Sequence, residues 1–160
     1  MRLVAKPGDN LYCRLSANVQ LLAKCGHMIA VSRNSFNPPP KVDSSVVRIE
    51  PRNPIPPVNF KEWDGMLRLC FNCKNKTMSA IFRQKPVLKL LQANYMTFCS
   101  LHQKPVNTEF ASDPQEWIKK QVCAILEETT QFASNRPAKM DNDDFLKLLA
   151  AFNSADIHFT

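Results

Sequence analysis

The chain has 160 residues, 44% hydrophobic and 22% charged, with a formal net charge of +7, which excludes a disordered polyelectrolyte and leaves room for one ordinary domain or two small ones. No run approaches the roughly eighteen apolar residues of a membrane span, and the opening MRLVAKPGDN has neither a signal-peptide apolar stretch nor a transit segment, so a soluble chain is expected. Residues 1–110 carry sixteen Lys or Arg against six Asp or Glu, and residues 111–160 carry five against eight; the basic front suits a phosphate-rich partner, although charge alone leaves nucleic acid, an acidic protein and a membrane surface all open.

In chain order, RLSANVQLLAK (14–24) predicts a helix with Leu15, Val19, Leu22 and Ala23 on one face, Ser16 as its cap and Gly26 as its stop. A short strand follows at Met28 to Val31, then the proline segment of FNPPPKVDSSVVRIE, then a second strand at Ser45 to Ile49 that Pro51 ends because it has no N–H for a ladder. Four prolines in PRNPIPPV predict a stiff linker and a domain boundary over 51–58. Helical spacing then takes over. Phe60, Trp63, Met66, Leu67 and Cys70 or Phe71 share one face, and the polar break NCKNKT leads into TMSAIFRQ. Pro86 opens a longer helix, Asp113-Pro114 starts another through about Leu126, and Asp141 or Asn142 caps a last one. Residues 59–160 therefore read as an all-helical module able to hold its own core. Residues 1–50 do not, because strand faces made of Met28, Ile29, Val31, Val46, Val47 and Ile49 need a larger sheet, so further chain upstream is expected.

Six scattered cysteines lack the dense spacing of a secreted scaffold and read as reduced, which favours cytosol, nucleus or an organelle matrix. Cys70 and Cys73 form a C-x-x-C with no second ligand pair, so they read as helix core positions and no metal site is expected. His27, His102 and His158 stand apart from any nucleophile and orienting acid, which gives nucleophilic catalysis no support.

In FNPPPKVDSS, each proline fixes its own φ and pushes its predecessor toward extended geometry, so Asn37 to Pro40 is expected to be a polyproline-like rod holding Phe36 in place. A structural loop, a base-stacking aromatic and a ligand for a proline-recognising module all remain open at this point. Lys41, directly after the prolines, is a better phosphate candidate than Lys6 or Arg14. In KNKT, Lys74 and Lys76 sit in a turn between two helices, with Arg83 about two turns on; they read as presented to phosphate or as an ordinary solvated turn.

With PPPKVDSSVV after Phe36, RLVAKPGDNLYCRLS before it and RPAKMDNDDFLKLL near the end, the sequence resembles the KsgA/Dim-type rRNA adenine dimethyltransferases. The helix-rich stretch 86–130 and the closing FNSADIHF make it similar to their eukaryotic nucleolar branch. The resemblance implies an α/β plus all-α fold, the C-terminal part of a Rossmann-like S-adenosylmethionine methyltransferase sheet followed by a small helical domain. Residues 1–50 would be an incomplete methyltransferase domain, 51–58 the linker and 59–160 a helical RNA-binding domain.

The activity implied is dimethylation of two adjacent adenines of small-subunit rRNA in ribosome biogenesis. The resemblance places Phe36 beside the target base and gives the basic stretch with Lys74 and Lys76 an RNA-facing role; Lys41 and Arg83 join these as RNA-binding candidates. The partner implied is small-subunit rRNA in a pre-ribosomal particle, with no membrane; the protein is expected to be a monomer in the nucleus or nucleolus, or alternatively the mitochondrion.

The family's glycine-rich cofactor loop, ribose-binding acid and Asn-(Leu/Pro)-Pro-Tyr clamp have no counterpart here. Gly8, Gly26 and Gly65 form no G-x-G-x-x-G turn, and no N-x-P-Y occurs. Residues that bind S-adenosylmethionine are therefore expected to be absent, and the chain alone to be inactive. The alternative is a non-catalytic RNA- or DNA-binding protein, a ribosome-assembly or mitochondrial transcription factor.

Overall fold

The computed structural model describes residues 1–160. They form two compact units, Met1–Pro57 and Val58–Thr160, divided at the end of the proline stretch. No helix is long and apolar enough to cross a membrane.

The first unit comprises α1 (Arg14–Leu22), β1 (Ala23–Val31), a 3₁₀ turn (Arg33–Ser35) and β2 (Ser44–Pro51). Helix α1 differs from the sequence expectation in three ways. Its N-cap is Cys13, and Ser16 lies in its first turn, where its hydroxyl accepts from the Cys13 N–H at 3.2 Å. Its inward face is Ser16, Ala17 and Leu21, while Leu15 and Leu22 are exposed. It ends at Leu22, and the chain enters β1 directly at Ala23 in extended geometry.

The physical reason is non-local. The Ser16 hydroxyl donates to the Arg2 carbonyl at 2.5 Å, and the Gln20 amide donates to the Leu3 and Ala5 carbonyls at 2.8 and 2.9 Å. An opening segment without a ladder needs such donors, so the polar side of α1 turns toward it. At the other end, the Arg52 N–H donates to the Leu22 carbonyl and its Nε to that of Gln20, at 2.8 and 3.2 Å, serving two carbonyls that the helix end leaves open.

β1 and β2 pair antiparallel from Ala23 opposite Pro51 to Val31 opposite Ser44, with a shift between His27 and Ile29 that leaves Met28 as the extra residue of a bulge. Both strands are longer than expected: pairing with β2 draws Lys24 to His27 into the ladder, and Gly26 sits within β1. Met28, Ile29, Val46 and Ile49 are 53%, 61%, 50% and 50% exposed.

The second unit is all-helical: α2 (Phe60–Asn72), α3 (Met78–Phe82), α4 (Lys85–Leu101), α5 (Thr108–Ser112), α6 (Pro114–Ala124) and α7 (Asn142–Ser154). Side-chain caps start five of these helices: Asn59 accepts from Lys61 N–H, Thr77 from Ala80, Asn107 from Glu109, Asp113 from Glu116 and Asp141 from Asp144, at 2.8–3.3 Å. α6 ends at Ala124 and continues as a π turn over Ile125–Thr129, where the Thr130 N–H and hydroxyl both donate to the Ile125 carbonyl. Trp63, Met66, Leu67 and Cys70 of α2 pack inward with Phe145, Leu148 and Phe152 of α7, all fully buried. Phe82 stacks on Phe152 at 5.1 Å, and Phe159 meets Phe152 edge-on at 5.1 Å. The tail is anchored by buried Glu62, which accepts from the Phe159 N–H at 2.8 Å and from the Thr160 hydroxyl.

Candidate nucleic-acid interface

Residues 32–43 connect β1 to β2, and their ends are tied twice. Val31 pairs with Ser44, and the Asp43 carboxylate accepts from the Arg33 N–H at 2.9 Å. Inside the loop the Ser32 hydroxyl accepts from the Asn34 N–H at 3.3 Å, which starts the 3₁₀ turn; the Phe36 N–H closes it on the Arg33 carbonyl at 3.3 Å. Phe36 therefore stands at a defined place, 44% exposed, although the segment bends at Phe36 to Pro38 with a cis bond before Pro38 instead of running as a straight rod. Lys41 is exposed on the same loop. The sequence reading found the aromatic and the lysine but passed over Asp43, whose tie to Arg33 spans ten residues and leaves no local pattern.

In the second unit, α2 ends at Asn72 and the Lys76 N–H donates to the Cys73 carbonyl at 2.9 Å, forming the turn that carries Lys74 and Lys76. Lys76 is exposed and Lys74 half-buried. Arg83 stands at the end of α3, where its guanidinium donates to Cys123 Sγ at 3.3 Å and pairs with Glu127 at 2.8 Å. These two partners, Cys123 foremost, hold its proton more tightly than usual. It thus braces α3 against the end of α6. Phe36 and Lys41 lie in the first unit; Lys74, Lys76 and Arg83 lie in the second.

Neither unit offers a nucleophile with a base. Burial pushes the Cys13 thiol up, but hydrogen bonds from Ser16 and Leu15 and the charge of Arg2 together outweigh it and draw the thiol below its ordinary range. His158 packs on Phe98 at 4.1 Å between ring centroids, and its Nδ1 lies 3.6 Å from Glu62, whose carboxylate already anchors the tail. No group of three or more His, Cys, Asp or Glu is placed to hold a metal ion.

A dinucleotide-like cofactor needs glycines at a strand-to-helix turn, where the backbone can approach it closely. Gly8 lies in a turn before α1, Gly26 within β1 and Gly65 in the middle of α2. The residues present do not fit S-adenosylmethionine.

This arrangement has a close solved counterpart. The chain superposes on the crystal structure of a dimethyladenosine transferase from Plasmodium falciparum with a TM-score of 0.88 and 42% identity, over 99% of this chain and 55% of that one. That similarity defines a mixed α/β hairpin unit followed by an all-α unit, the fold of the C-terminal part of a Rossmann-like methyltransferase sheet with its small helical domain. The sequence model of the ribosomal RNA adenine dimethylase family matches residues 1–113, and the chain belongs to that family. It is 53% identical over 158 residues to a "Probable dimethyladenosine transferase" of Drosophila melanogaster, covering 99% of this chain and 49% of that protein. It is 46% identical over 160 residues to the dimethyladenosine transferase of Saccharomyces cerevisiae, covering all of this chain and 50% of that protein. The chain spans about half the length of the curated relatives it matches.

Proposed function

We propose that this chain is the C-terminal portion of an S-adenosylmethionine-dependent dimethyltransferase acting on two adjacent adenines of small-subunit rRNA, within ribosome biogenesis in the nucleus or nucleolus. The observation that carries the reading is identity of 46–53% along essentially the whole chain to dimethyladenosine transferases. The tied loop that holds Phe36 exposed supports it.

An exocyclic amine is a poor nucleophile because its lone pair is delocalised into the ring, so the base has to leave the stack and be held in a fixed pose before it reacts. Phe36 offers an aromatic face that receives such a base without hydrogen bonds, contributing about 1–3 kcal/mol. Lys41 follows Phe36 by five residues and takes a neighbouring phosphate. Lys74 and Lys76 hold the RNA backbone from the helical unit, and Arg83 keeps α3 in place behind them. The methyl donor is held by no residue of 1–160, and the rRNA is the partner of a monomer.

The test joins residues 1–160 to the upstream half of the Drosophila relative. Methylation of small-subunit rRNA should appear, and Phe36→Ala should abolish most of it while leaving cofactor binding intact; near-full activity of Phe36→Ala overturns the stacking role. Residues 1–160 alone should bind rRNA in a salt-dependent way without affinity for S-adenosylmethionine. Saturable cofactor binding in calorimetry would overturn that assignment of the cofactor site.

A further inference from the structure

The loop of residues 32–43 holds Phe36 without a core. Every residue from 32 to 44 is exposed, Val42 at 71%, so apolar packing contributes little to its shape. Such a segment depends on its hydrogen bonds. Beyond the ladder's last pair, Val31 opposite Ser44, one bond crosses from the outgoing limb of the loop to the returning one: the Arg33 N–H donates to the Asp43 carboxylate at 2.9 Å.

That bond reaches Phe36 in one further step. Arg33 donates its N–H to Asp43 and accepts at its carbonyl from the Phe36 N–H at 3.3 Å, while the Ser35 N–H closes on the Ser32 carbonyl at 3.0 Å. Hydrogen bonds in series polarise one another, and a carboxylate acceptor makes the first of this pair the stronger kind. Asp43 is itself held in place, because the next residue, Ser44, begins β2. On the returning limb Pro38, Pro39 and Pro40 each fix their own φ, which leaves the chain between Phe36 and Asp43 few conformations to explore. The strand end thus fixes the carboxylate, the carboxylate fixes the turn, and the turn fixes the aromatic ring.

We propose that Asp43 is a positioning residue for methyl transfer: acting through Arg33, it keeps the Phe36 ring where it receives the unstacked adenine. This rests on the rRNA reading above and deepens it. Two methyl groups have to reach one nitrogen, so the base is presented twice, and a loop without its tie presents it less well each time. RNA affinity comes mainly from phosphate contacts, so loss of the tie falls on turnover more than on binding.

The hybrid of residues 1–160 with the upstream half of the Drosophila relative carries the test, with small-subunit rRNA as substrate and mono- and dimethyladenosine resolved in the product. Asp43→Ala should lower kcat about tenfold, leave the KM for rRNA within about twofold, and raise the share of product that stops at one methyl. Asp43→Asn keeps an acceptor oxygen for the Arg33 N–H and should stay within about threefold of the wild type. In a Phe36→Leu background, Asp43→Ala should lower kcat by less than about twofold more, because the ring it holds is already gone. Since the tie lies in an exposed loop, the melting temperature of Asp43→Ala should remain within about 2 °C of the wild type.

A full tenfold loss in the Phe36→Leu background would show that Asp43 acts elsewhere and overturns the proposal. So does an Asp43→Asn variant as impaired as the alanine one, or a large drop in melting temperature, which would make the tie a matter of stability. A hybrid that methylates rRNA with undiminished kcat and an unchanged product ratio in Asp43→Ala overturns this proposal alone. A wild-type hybrid that does not methylate rRNA overturns the functional reading beneath it.

Discussion

Cys70 and Cys73 lie one helical turn apart in different surroundings. Cys70 is fully buried in α2, and burial pushes its thiol far above the ordinary range; Cys73 is the partly exposed C-cap. The buried thiol keeps its proton where the unfolded chain gives it up, so the folded state binds more protons at alkaline pH. Stability from this group is complete below about pH 8.5, the ordinary thiol value, and declines above it by at most about 1.4 kcal/mol per pH unit. Tyr95, raised by burial and then by Cys99, adds the same sign at higher pH. Urea midpoints taken from pH 7 to 10 should fall along this limb, and Cys70→Ala, though less stable overall, should flatten its first part; an unchanged limb would remove Cys70 as the cause. The lack of a second ligand pair argued against zinc in the sequence, where both cysteines read as helix core positions; packing corrects that for Cys73, which lies at the helix end partly exposed.

At the scale of elements, α2 and the C-terminal tail touch through a glycine. Gly65 lies in the middle of α2, where alanine would ordinarily gain about 1 kcal/mol. Here a Cβ would stand 2.6 Å from the Phe159 carbonyl oxygen and 3.1 Å from the Phe159 Cβ. Gly65→Ala should therefore destabilise, by about 1–3 kcal/mol as for other overpacked sites. In a chain that ends at His158 the same substitution should turn neutral or stabilising. Thermal unfolding of the four proteins decides it, and destabilisation that persists in the shortened pair would show that the clash lies elsewhere.

The long helices of this unit were legible because both their apolar spacing and their caps are local, as at Asp113-Pro114 and Asp141. Helix α1 was misread because Ser16 and Gln20 turn inward for carbonyls of Arg2, Leu3 and Ala5, which no window of periodicity contains. The candidate site divides the same way. Phe36 and KNKT announce themselves, whereas Asp43 takes its meaning from Arg33, a partner brought in by the fold.

At the scale of the whole molecule, the two units differ in how much of their apolar surface they bury. The helical unit closes around Trp63, Met66, Phe82, Phe145 and Phe152, all fully buried. The first unit has a small core of Ala5, Tyr12, Ala17, Leu21 and Ala23, while its hairpin leaves Met28, Ile29, Val46 and Ile49 at least half exposed. A two-stranded sheet is marginal in water, and apolar residues on its open faces mark a surface made for more protein. Residues 58–160 expressed alone should therefore unfold in one cooperative transition with coincident near- and far-ultraviolet dichroism. Residues 1–57 alone should show no such transition and should bind an apolar dye. A cooperative, dye-silent 1–57 would mean that α1 and the hairpin suffice for a fold, and that the exposed strand residues are an outer surface instead of a face prepared for further sheet.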